Sequence, residues 1–166
     1  MYKKLFVLLV VIMALSMVSI PALAGPPENA EGVWYYRPTG PPGQEFAGGN
    51  TFLTISDEGY WTGTFAGDST DIGKVVIHSQ GHWIYKGVVT FASVTVAGKT
   101  GGLEMRVQGR RPNALAEWDG KWVITRGTGD LAGLQGQGTW GGPGWLGDPT
   151  VYGIVSYSGN IHFESD

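Results

Sequence analysis

The sequence predicts an all-β chain folded as a single antiparallel β-barrel of about eight strands, with a β-sandwich as the alternative. Three observations carry that reading. The chain of 166 residues holds 28 Gly, all of them after residue 24. No segment beyond residue 25 sustains apolar residues at i, i+3, i+4 and i+7 for three turns. In their place come runs of β-branched and aromatic residues alternating with polar ones, separated by Gly, Asp and Asn. A sheet of eight or nine antiparallel strands tends to curl, and closing it removes its unpaired edges.

Residues 1–24 read as a signal peptide rather than as part of the fold. Lys3 and Lys4 precede an apolar run from Leu5 to Met17, interrupted only by Ser16. Pro21 follows, and Ala22-Leu23-Ala24 fits the small-x-small cleavage pattern. The run is short for a bilayer span of about 20 residues, so a permanent anchor is the weaker reading. The barrel domain is therefore expected over 25–166, in a secreted or periplasmic protein of a prokaryote with no membrane association after cleavage. Losing Lys3 and Lys4 takes the formal net charge from −3 to −5.

Composition excludes several function classes. With no cysteine, the chain has no disulfide framework, thiol nucleophile or Cys-ligated zinc site. Its acidic balance argues against sequence-independent nucleic-acid binding, which needs clustered Lys and Arg. A charged fraction of 15% with 12% aromatic residues is that of a packed domain, not of a disordered one.

The elements follow from the alternation. Residues 25–31 and 38–49 are rich in Pro and Gly and are expected to be irregular. Val33 to Tyr36 is a first strand and Thr51 to Ser56 a second. Asp57-Glu58-Gly59 then reads as a turn into Tyr60 to Ala66. Ile72 to Ser79 leads through Gln80-Gly81 into a long strand, His82 to Ala97, with a bend expected at Gly87. Gly98-Lys99 turns it into Gly102 to Arg110. Glu117 to Arg126, Gly136 to Trp140 and Val151 to Phe163 complete the set, the last with a kink expected at Gly159. Parity places Leu53, Ile55, Trp61, Phe65, Leu103, Met105, Val107, Trp118, Trp122 and Ile124 on inward faces.

The most distinctive stretch runs from Gly127 through Trp140, Gly-Thr-Gly-Asp-Leu-Ala-Gly-Leu-Gln-Gly-Gln-Gly-Thr-Trp. Its G-x-G-x-x-x-G spacing and the lack of a following helix argue against a phosphate-binding loop. A single copy also argues against a calcium-binding repeat coil. We read Gly127, Gly129 and Gly133 as conformational, shaping a turn that packs on Leu131 and Leu134. This stretch, with the preceding residues from about 50, resembles the small barrels related to allene oxide cyclase and dirigent proteins, and most of all their bacterial relatives with an avidin- or lipocalin-like shape. The resemblance implies the barrel. It carries over no cyclase catalytic constellation.

No catalytic residues are marked. His78 and His82 flank the Gln80-Gly81 turn, and Asp57 or Glu58 is the nearest thing to a third metal ligand. Two solvated turn histidines are the simpler reading, and no metal or cofactor is expected. There is no G-x-S-x-G elbow. Glu104 and Glu117 are read as the acids within strands and away from turns, and Glu104 points outward, so a carboxylate pair for glycoside hydrolysis is unsupported. The aromatic residues are the stronger lead. Trp34, Tyr35, Tyr36, Trp61, Trp83, Tyr85, Trp118, Trp122, Trp140 and Trp145 exceed the usual needs of a core this size. The lumen-binding candidates are Trp61, Phe65, Met105, Trp118, Trp122 and Trp145, with Trp145 in a Gly/Pro-rich segment placed to cover one mouth. The expected function is non-catalytic binding of a small apolar or aromatic-contacting ligand. The rivals are a cofactor-independent cyclase or isomerase and a filled structural envelope protein.

Overall fold

The computed structural model describes residues 25–144 and 151–164. Its strands are β1 (Glu28–Pro38), β2 (Gly43–Ala47), β3 (Asn50–Gly63), β4 (Gly67–Ile77), β5 (Trp83–Val96), β6 (Lys99–Arg111), β7 (Trp118–Gly127), β8 (Leu134–Gly144) and β9 (Gly153–Phe163). Every neighbouring pair is antiparallel, in the order β1-β9-β8-β7-β6-β5-β4-β3. β1 then pairs with β3 as well, Trp34 opposite Trp61, and this closes an eight-stranded barrel. A sandwich would leave that seam open. β2 is the extra strand, taking over the edge of β3 at Asn50–Thr54 where β1 no longer reaches it.

The alternation that predicted inward faces holds. Met105 is fully buried and Trp122 is 2% exposed. Trp61, Phe65, Phe91, Met105, Trp122 and Tyr157 fill the half of the barrel where β1 begins and β9 ends. Phe65 meets Trp122 edge-to-face at 5.5 Å, and the Tyr157 hydroxyl donates to the Thr62 carbonyl at 3.0 Å while accepting the Phe65 amide. Gly138 and Gly159 lie against the Trp122 ring, where a side chain on either would collide with the indole or a neighbouring carbonyl. An eight-stranded barrel has an interior just wide enough for side chains, so rings this large fill it only beside glycines.

Several boundaries differ from the sequence reading. Asp57-Glu58-Gly59 is not a turn but the middle of β3, paired on both sides. Gly59 is needed there because β1 passes close: an added Cβ would overlap the Tyr35 carbonyl and come within 2.8 Å of Trp34 Nε1. The true β3–β4 reversal is at Thr64–Ala66. β1 begins at Glu28, inside the segment expected to be irregular, and β2 forms within 38–49. The irregularity in β5 lies between Phe91 and Val94, not at Gly87, and Gly159 keeps regular pairing. Residues 1–24, and Trp145 with its proposed cover over the mouth, lie outside the described residues.

The glycine-rich turn lies at the barrel end where β1 begins and β9 ends. A short 3₁₀ turn, Gly129–Leu131, buries Leu131 completely. Gly129 and Gly133 have φ of 63° and 76°, the left-handed region that favours glycine. The Thr128 amide donates to the Gly102 carbonyl at 2.9 Å and its Oγ1 accepts the Gly102 amide at 3.2 Å, tying the turn to β6.

Candidate functional site

The opposite end of the barrel differs in character from the packed half. β1, β4, β6 and β8 run toward it, and β3, β5, β7 and β9 start from it. Register and parity bring Tyr36, Trp83, Arg111 and Trp118 to its inner rim, all partly exposed, above an apolar wall that includes Leu53, Ile55 and Ile77. The Arg111 guanidinium lies 3.8 Å from the Trp83 ring centroid and 4.8 Å from that of Trp118, within cation–π range of both. Burial pulls the Arg111 pKa below its ordinary value, opposed by Tyr36. Its Nε is buried and finds no acceptor among the described residues.

Below the rim, two sets of aromatic rings flank a polar cluster. On one side Tyr36, Trp34 and Trp61 stack, with centroids 4.5 and 5.3 Å apart. On the other, Trp118 packs on Tyr85 and Trp140, each at 6.1 Å. Between them Asp57 on β3 and Asp71 on β4 face the interior, 3% and 1% exposed. The Tyr85 hydroxyl donates to Asp71 Oδ2. Asp71 Oδ1 lies over Gly87 and has no hydrogen-bond donor, and Trp34 Nε1 no acceptor, among the described residues. Burial raises Asp71 to about 7, with the Tyr85 hydrogen bond pulling the other way and Asp57 adding to the rise. Asp57 is raised to about 6 by burial. Tyr85 is held well above its ordinary value by burial and then by Asp71.

Such an arrangement has definite chemical capacity. A carboxyl group that titrates near neutrality, hydrogen-bonded to a phenol in an apolar interior, can accept or donate a proton or anchor a ligand hydroxyl. Arg111, stripped of much of its water, offers a cationic donor at the rim.

The sequence-derived candidates separate within this geometry. Trp61, Phe65, Met105 and Trp122 lie in the packed interior, where their contacts are to one another and to neighbouring strands. Trp61 also donates through Nε1 to the Ser69 hydroxyl at 3.0 Å. Of the five described candidates only Trp118 stands at the mouth, and Trp145 is not among the described residues. Asp57, Asp71, Tyr85 and Arg111 were missed as a group. A signal existed for the two acids: Asp57 shares parity with Leu53 and Ile55, and Asp71 with Val75 and Ile77. Reading Asp57 as a turn residue, and starting the next strand at Ile72, hid it. The His78 and His82 rings stack at 4.0 Å across their turn. Among the described residues no group of three His, Asp or Glu is arranged to hold a metal ion.

No protein-family model matches the chain, and no curated protein matches it. Solved structures do. A Shewanella oneidensis MR-1 protein of unknown function from the DUF3224 family superposes with a TM-score of 0.59 at 16% identity, over 85% of this chain and 100% of its own. The likeness is one of fold. The pterocarpan synthase dirigent proteins GePTS1 and PsPTS1 also match, each at 14% identity, with TM-scores of 0.45 and 0.47. They are covered over 89% and 99% of their lengths, and this chain over 84% and 87%. These three matches include dirigent proteins and no allene oxide cyclase. The DUF3224 superposition supports the barrel fold and transfers no activity.

Proposed function

We propose that this protein binds a small, largely apolar molecule in the upper lumen, between the Trp83–Arg111–Trp118 rim and the Asp57–Asp71 pair. The observation that carries the reading is Asp71 Oδ1, a buried carboxyl oxygen without a donor beneath a partly exposed aromatic mouth. Buried polar atoms are ordinarily satisfied, and each exception asks for a reason. A ligand with a flat apolar body, a hydroxyl reaching Asp71 and an oxygen acceptor near Arg111 satisfies two of the three orphaned atoms, Asp71 Oδ1 and Arg111 Nε. Non-catalytic binding needs nothing more than this. The rival, a cofactor-independent isomerase or cyclase, draws on the same site, because a carboxyl near pH 7 beside Tyr85 is matched to proton transfer. Extracytoplasmic location is part of this proposal, and intact-mass measurement of exported protein should show a start at or near Gly25.

The test uses 1-anilinonaphthalene-8-sulfonate, an aromatic anion, titrated against the folded protein by fluorescence and calorimetry. Saturable binding is expected, weakened at least tenfold in Trp118→Ala and in Arg111→Gln. The exposed exterior variant Ile72→Ser should bind as the parent does. Absence of saturable binding, or equal binding by all four proteins, would remove the mouth as a binding site.

A further inference from the structure

The outside of the barrel carries a second feature, independent of the lumen. A groove of about 1060 Å³ crosses the outer face at mid-strand, from Thr54 on β3 round to Asn160 on β9. Its charged lining is all of one sign: Lys74, Lys86, Arg106 and Lys121. These are four cations on a chain whose formal net charge is −3. Register sets them in rows. Lys74 is the cross-strand partner of Lys86, Lys86 of Gln108, and Gln108 of Lys121. With strands about 4.8 Å apart, the three intervals from Lys74 to Lys121 extend roughly 14 Å. Arg106 lies one step along β6, opposite Val88 and Val123.

None of the four cations forms an ion pair among the described residues. The acids next along β6 and β7 are engaged elsewhere: Glu104 accepts from Thr125 Oγ1 at 2.9 Å, and Asp119 faces Arg110 at 3.7 Å. Lysines placed side by side repel, so aligned and unpaired cations across neighbouring strands favour an anionic partner. The row continues beyond Lys121 through Thr139 and Ser158, hydroxyl-bearing side chains in register.

We propose that this groove binds a linear anionic polysaccharide. Its course around the barrel suits a flexible chain better than a flat bilayer or a rigid folded partner. Gln108, Gln137, Thr139 and Asn160 supply the donors and acceptors that sugar hydroxyls require. Single-stranded nucleic acid is disfavoured because, among the described residues, the groove offers no exposed aromatic face for bases. Its one aromatic lining residue, Trp122, is buried inward.

The experiment measures binding of a fluorescent hexagalacturonate to the folded protein by anisotropy, at low and at 0.5 M salt. The expected result is saturable binding that salt weakens at least tenfold, since exposed charges are screened. Lys86→Gln combined with Lys121→Gln should weaken it at least tenfold. Lys99→Gln, a cation outside the groove, should leave it within twofold, as should Trp118→Ala at the mouth. Unchanged melting curves would confirm that the double variant folds. The proposal is overturned if hexagalacturonate does not bind, or binds the double variant equally. It is also overturned if single-stranded DNA or phosphatidylglycerol vesicles bind more tightly, or if sedimentation shows the four cations joining two copies of the chain.

Discussion

Asp57 on β3 and Asp71 on β4 are direct cross-strand partners, and both carboxyls point into the barrel. Two like charges at such a spacing, removed from water, disfavour joint ionisation. Burial raises both groups, Asp71 to about 7 and Asp57 to about 6, and the Asp57 charge adds to the rise at Asp71.

A pH dependence of stability follows. Each carboxyl has a folded-state pKa above its unfolded value near 4, so the folded protein holds more protons between about pH 4 and 7. The contribution of the pair is full below about pH 4 and is lost as pH rises through 6 and 7. Melting temperatures measured from pH 4.5 to 8 should fall across that window. Asp71→Asn should flatten the fall, because the amide keeps an acceptor for Tyr85 without a titrating group. A melting temperature that rises from pH 5 to 8 in the parent, and equally in the variant, would contradict the assignment.

Tyr85→Phe removes the only hydrogen-bond donor to Asp71 among the described residues. Leaving that carboxyl unpaired should cost about 1–3 kcal/mol in denaturant unfolding. Because the Tyr85 hydrogen bond lowers the Asp71 pKa, its loss should also shift the pH midpoint of the stability change upward. A midpoint displaced downward would mean that Tyr85 does not stabilise the carboxylate.

Trp122→Ala should cost about 3–5 kcal/mol, the range for removing a large buried aromatic ring. The indole also donates to the carbonyls of Thr139 at 3.1 Å and Ser158 at 3.2 Å, and both are left short of a donor when it goes. Urea unfolding monitored by circular dichroism checks this. A loss under 1 kcal/mol would show that the neighbouring strands collapse onto the space.

In the glycine-rich turn, Gly127→Ala should be more damaging than Gly129→Ala. A Cβ at Gly127 would overlap the Leu131 carbonyl, whereas at Gly129 its nearest neighbours stand at 3.4 Å and the penalty is the positive φ. Losses of about 1–3 kcal/mol at Gly129 are expected, without dependence on phosphate in the buffer. Thermal melts with and without phosphate decide the matter, and phosphate-dependent stability would point to an anion-binding loop.

Period-two alternation was enough to define an all-β chain and most inward faces, because side-chain direction in a strand is a local consequence of the backbone. Leu103, Met105, Val107, Trp122 and Ile124 were legible for that reason. So was the conformational role of Gly129 and Gly133, since no other residue adopts positive φ as readily. Asp57 and Gly59 were not legible. Asp and Gly signal a turn in isolation, but here Gly59 admits a neighbouring strand and Asp57 lies against Asp71, a relation set by strand register. Closure of the barrel through β1 and β3, the stacking of Arg111 on Trp83 and Trp118, and the alignment of Lys74, Lys86 and Lys121 are likewise properties of pairing between distant segments. Local sequence determines which way each side chain points, and only the tertiary structure decides which of them meet.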